Sequence, residues 1–168
     1  MHAGCAFLHL GNWSGWGMPA ATEARIRENY SRIAPALLSA LTDYLIVSRR
    51  QANDLDRQLV LLVIMLRSAM ARGFSDIPSE EVLSGRVETL PTLWTNIRSI
   101  ADSTGIPRET VRRKVNDLIE AGLVKRSGQL LTATPRAFLD SRFVIDKFLR
   151  LVAVSHATIE KLIKNDDG

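Results

Sequence analysis

Residues 96–132 read NIRSIADSTGIPRETVRRKVNDLIEAGLVKRSGQLLT. Asn96 predicts a helix start, because its side chain can accept a hydrogen bond from a free backbone N–H of the first turn. A short helix then runs to Ser103. Gly105 follows as the sharp turn, since glycine adopts a positive φ without penalty. Ala101, four residues earlier, is small enough to let two crossing helices approach closely. Pro107 opens a second helix running to Ala121, proline being favoured in a first turn, and Gly122 ends it. Val111, Val115, Leu118 and Ile119 form the apolar stripe of this second helix. Its other face presents Arg108, Glu109, Arg112, Arg113 and Asn116. Val124–Arg126 and Leu130–Thr132 then pair as a hairpin across Ser127, Gly128 and Gln129.

Outward from this stretch the chain reads as helical. Ile26, Tyr30, Ile33, Leu37, Leu41, Tyr44 and Leu45 recur at helical spacing between Ala20 and Arg50, with a break expected near Ala34 because Pro35 cannot continue a helix cleanly. Asn53 or Asp54 caps a helix to about Arg72, stopped by Gly73. The run Leu59–Leu66 marks that helix as core. Residues 74–91 read as a connection with one helical turn near Glu80. Ser141–Lys164 forms a last helix carrying Val144, Phe148, Leu151, Ile159 and Leu162. The organisation expected is therefore an irregular extension (1–17), an N-terminal helical segment (18–53), a central domain (54–134) and a C-terminal helix (135–168). Residues 1–17 show neither helical nor strand periodicity and are expected to have no packed role. The competing expectation is a docking segment built on Trp13 and Trp16.

The charge is not evenly spread. The 168-residue chain carries a net charge of +4. From Arg98 to Arg126 seven lysines and arginines stand against four acids, a surplus of three. An arginine-bearing helix face of this kind suits the major groove of DNA. Arginine can donate a fork to guanine and glutamate can accept from cytosine N4. Lys125 and Arg126 on the hairpin suit phosphate. Two roles stay open for Glu109, a base contact or an ion pair orienting Arg108 or Arg113. Arg112 suits phosphate and base equally. Lys114 interrupts the apolar side, its stem packing while its ammonium reaches solvent or phosphate.

The stretch resembles the winged helix-turn-helix domains of bacterial regulators. PRETVRR is similar to the recognition helix of the Crp/Fnr family, and LIEAGLVKR resembles the helix-to-wing passage shared by MarR-like and IclR-like families. That resemblance implies base reading by Arg108, Glu109 and Arg113. It does not extend to a nucleotide-binding β-roll, since residues 20–90 read as helical. The fold class expected is mostly α, a winged helix-turn-helix with a small β-hairpin wing, flanked by N- and C-terminal helices used in dimerisation. The residues expected to meet double-stranded DNA are Arg108, Glu109, Thr110, Arg112, Arg113, Asn116, Lys125 and Arg126. The function implied is a homodimeric, sequence-specific transcriptional regulator. The alternative is a winged-helix protein-interaction module.

Other classes find little support. No phosphate loop, nucleophile elbow or paired metal ligands can be read, so neither enzyme activity nor a cofactor is expected. His2, His9 and His156 are not at metal-ligand spacing. Cys5 is the one cysteine, so no intramolecular disulfide forms, which fits a cytoplasmic location. No apolar run is long enough to span a bilayer, and no membrane partner is expected.

Overall fold

The computed structural model describes residues 20–52, 54–91 and 93–165. Among them the chain is mostly helical with one small antiparallel two-stranded sheet. Two compact units are formed, one from residues 48–143 and the other combining residues 20–47 and 144–165. The expectations for residues 1–17 and for Asn53 lie outside the described residues.

In the unit of residues 48–143, α3 (Leu55–Ala69) is the central helix. Asp54 caps it, its carboxylate accepting the Arg57 N–H at 3.1 Å. Val60, Leu61, Val63, Ile64 and Met65 are buried, whereas Leu59 and Leu62 face outward. Burial wider than one stripe arises because α3 is packed by several neighbours: α5 (Ile97–Thr104), α6 (Arg108–Glu120), β2 (Leu130–Ala133) and α7 (Pro135–Asp140). Each large aliphatic side chain removed from water there contributes about 1.5–3 kcal/mol. The helix ends at Ala69, before Gly73, which instead opens a 3-10 turn over Phe74–Asp76. Phe74 meets Phe138 of α7, with ring centroids 5.7 Å apart.

The connection after this turn holds α4 (Ser79–Ser84), which packs against α7. The segment 135–168, expected as one C-terminal helix, divides here: α7 precedes a separate longer helix. The signal for α7 is Thr134 followed by proline at the first helical position. Beyond Asp140 the chain bends at Ser141 and starts α8 (Arg142–Asn165).

β1 (Val124–Ser127) and β2 pair in the register Val124↔Ala133 to Ser127↔Leu130. The turn therefore has two residues, Gly128 and Gln129, not the three expected. Thr95 adds a bridge to Leu131, with N–H to O distances of 3.3 and 2.9 Å in the two directions. This ties the segment before α5 to the hairpin.

In the other unit, α1 (Ala20–Glu28) and α2 (Tyr30–Ala52) are separated at Asn29, whose side-chain amide donates to the Arg25 carbonyl at 3.0 Å. The break expected near Ala34 thus falls earlier, and Pro35 lies inside α2. Asn29 interrupts the helix because its side-chain amide competes for a backbone carbonyl, as asparagine does at helix ends. Ile33 is buried, and Tyr44 meets Phe148 of α8 edge-on at 6.1 Å.

Candidate functional site

α5 and α6 are placed by their ends. Asn96 Oδ1 accepts the Ser99 N–H at 2.9 Å and fixes the start of α5. Gly105, at φ +72°, closes α5, and its N–H donates to the Ala101 carbonyl at 3.0 Å. Ile100 is wholly buried between the helices, while Ala101 is half-buried. Pro107 then sits at the cap of α6 with extended backbone, one residue before the helix proper.

α6 divides by face. Val111, Val115 and Leu118 are wholly buried at i, i+4 and i+7. Ile119, expected with them, is half-buried. Arg108, Glu109, Arg112 and Arg113 are exposed, and Thr110 and Asn116 are half-buried beside them. On β1, Val124 is buried and Lys125 and Arg126 are exposed.

Three ionic relations refine the expected roles. Glu109 pairs with Arg112, whose Nε and one Nη donate to the two carboxylate oxygens at 2.9 and 2.5 Å. This hydrogen bond outweighs a small desolvation effect and, with Arg113 nearby, holds the Glu109 carboxyl below its usual range. The orienting partner of Glu109 is therefore Arg112, not Arg108 or Arg113. The Lys114 ammonium goes neither to solvent nor to phosphate: it pairs with Asp54, both side chains being largely shielded. Burial alone would raise the Asp54 carboxyl, but the hydrogen bonds from Lys114 and the Arg57 N–H prevail and lower it. This pair fastens the start of α3 to the middle of α6. Arg98 reaches Asp102 at 3.7 Å with both side chains more than two-thirds exposed, a geometry that contributes little.

Between the starts of α5 and α6 and the turn of the hairpin lies an open cleft of about 490 Å³. Residues 96–98, Arg108, Arg126, Gly128 and Gln129 line it, and none of these is acidic. Of the expected residues, the structure brings Arg108 and Arg126 together here. Glu109, Thr110, Arg112, Arg113, Asn116 and Lys125 lie outside the lining. Asn96, Arg98 and Gln129 are additions to the residues expected from sequence. Arg98 directly follows the capped start of α5, and that placement is the signal the sequence offers for it.

Among the described residues no group of histidine, cysteine and acidic side chains could hold a metal ion. No described helix is long and apolar enough to cross a membrane. No family model matches the chain, and neither the curated proteins nor the solved structures contain a significant match.

Proposed function

We propose that the protein is a non-enzymatic, sequence-specific DNA-binding regulator of transcription. In this reading α5, the turn at Gly105 and α6 form a helix-turn-helix, and the β1–β2 hairpin is its wing. α6 enters the major groove, where Arg113, the Glu109–Arg112 pair and Asn116 meet base edges. Lys125 and Arg126 hold the backbone. The observation that carries the reading is the division of α6. One face is wholly buried at Val111, Val115 and Leu118, which fixes the helix rigidly. The other offers exposed arginines next to a cleft lined by Arg98, Arg108 and Arg126 and by no acid.

The protein acts as a homodimer in this reading. On α2, Leu38, Leu41 and Leu45 share a helical face and are exposed, as are Phe148, Leu149 and Val152 on α8. Exposed apolar side chains grouped in this way suit a second copy of the chain.

The test is equilibrium binding to mixed-sequence duplex DNA over a range of salt. Arg126→Ala and Lys125→Ala should weaken binding to all sequences alike and flatten the salt dependence by about 0.9 in log–log slope for each phosphate no longer held. A protein-docking module would bind no duplex, or bind with an affinity indifferent to salt.

A further inference from the structure

We propose that the cleft between α5, α6 and the hairpin turn seats a single phosphodiester of one DNA strand, and that Arg108 is a clamp on it together with Arg98 and Arg126, not a reader of bases. The inference rests on the DNA-binding reading and departs from the role that the resemblance implies for Arg108.

Three separate elements each contribute one arginine to the same concavity: Arg98 from α5, Arg108 from α6 and Arg126 from β1. Like charges brought to one cleft repel, and no acid in the lining offsets them. An anion does. The guanidinium fork matches the oxygens of a phosphate and is weakly hydrated, so it gives up water readily for that partner. Arg108 and Arg126 make no hydrogen bond or ion pair with any described residue, and Arg98 has only its loose contact to Asp102. Arg112 differs, being engaged by Glu109.

The polar rim fits the same guest. The Asn96 side chain spends its oxygen on the Ser99 N–H, which leaves its amide NH2 group to donate. Gln129 adds a second amide at the hairpin turn. A cleft of about 490 Å³ holds far more than the ~30 Å³ share of one water molecule. Its open side lets a strand continue on both sides of the held phosphate. The shared chemistry is a phosphate group, and its two sources are a DNA strand and a free phosphate.

The experiment uses the full-length protein and the variants Arg98→Gln, Arg108→Gln, Arg126→Gln and the double Arg98→Gln/Arg108→Gln. All three side chains are exposed, so the fold should persist, checked by unchanged melting curves. Binding to a mixed-sequence duplex is followed against KCl. Base preference is read from a randomised duplex pool, and inorganic phosphate is titrated into the protein with backbone amides observed by NMR. Because the arginines share one phosphate, the double variant should flatten the log–log slope by no more than about 0.9, the value of one phosphate. Arg108→Gln should lower affinity at least threefold while the selected sequences stay those of the unmodified protein. A slope change near twice that value, or a base preference altered at one position by Arg108→Gln, overturns the clamp and leaves the DNA reading standing. Absence of binding to any duplex, with phosphate shifting the amides of residues 96–98 and 126–129, overturns both and assigns the cleft to a free phosphate.

Discussion

At the scale of single residues, the Asp54–Lys114 pair does two jobs, since the same carboxylate caps α3 and receives the α6 ammonium. Asp54→Ala should cost about 2–3 kcal/mol in urea unfolding, through the missing cap and a shielded ammonium left unpaired. Lys114→Met should cost less than Asp54→Ala, because the stem volume stays and the Asp54 carboxylate keeps the Arg57 N–H that it caps. The pair also sets a pH dependence. The Asp54 carboxyl is lowered in the folded chain, so its contribution is present above the unfolded value and is lost as pH falls through the folded one. The stability advantage of the unmodified protein over Asp54→Asn should therefore shrink as pH is taken below about 4, and an advantage that grows there would contradict the assignment. Two glycines offer a second comparison. Gly105 has φ +72° and open space around a Cβ, whereas Gly85 has φ +66° and would bring a Cβ within 3.1 Å of Leu139 Cβ. Gly105→Ala should cost about 1–2 kcal/mol from left-handed backbone alone. Gly85→Ala should cost at least about 1 kcal/mol more, since α4 and α7 must separate.

At the scale of elements, α5, α6 and the hairpin are legible in the sequence because each end carries its own chemistry. Asn96 caps, Gly105 and Gly122 take positive φ, and the 111–115–118 spacing marks the buried face. Elements specified by tertiary packing are harder to read. α7 spans six residues and is held by α3 and α4 rather than by its own pattern. The Thr95 bridge involves a single residue and leaves no alternation to detect. The interruption falls at Asn29, where the side-chain amide competes for the Arg25 carbonyl, and not beside Pro35, which α2 accommodates. Of the candidate site, the exposed arginines of α6 follow from periodicity. The Glu109–Arg112 pair, the capture of Lys114 and the convergence of Arg98 with Arg126 depend on rotamers and on chain distant in sequence. These facts shape the prediction for α6 itself. Arg113 lies about 7.5 Å along the axis from Arg108 and makes no hydrogen bond or ion pair with a described residue. Arg113→Ala should relax preference at one base position in a randomised duplex selection, a drop of roughly 1–3 kcal/mol in discrimination, with nonspecific affinity nearly constant. A uniform fall in affinity would make it a phosphate-binding residue instead.

At the scale of the whole molecule, the reading joins a DNA-binding unit to apolar helices that suit a second copy. Leu45 and Leu149 are about half exposed, at 50% and 52%, so a charge there disturbs the isolated chain little and an interface much. Sedimentation at tens of micromolar should give a dimer for the unmodified protein and a monomer for Leu45→Glu/Leu149→Glu. A dimer means that DNA sites should have matching two-fold symmetry, with half-sites about one helical turn apart. The most direct measurement is therefore the sequencing of duplexes that the purified full-length protein retains from a randomised pool. The expected result is an enriched inverted repeat with at least one G·C pair in each half, abolished when Arg112 and Arg113 are both replaced by alanine. A retained pool with no enriched sequence, or no retention at any salt concentration, would contradict sequence-specific DNA binding.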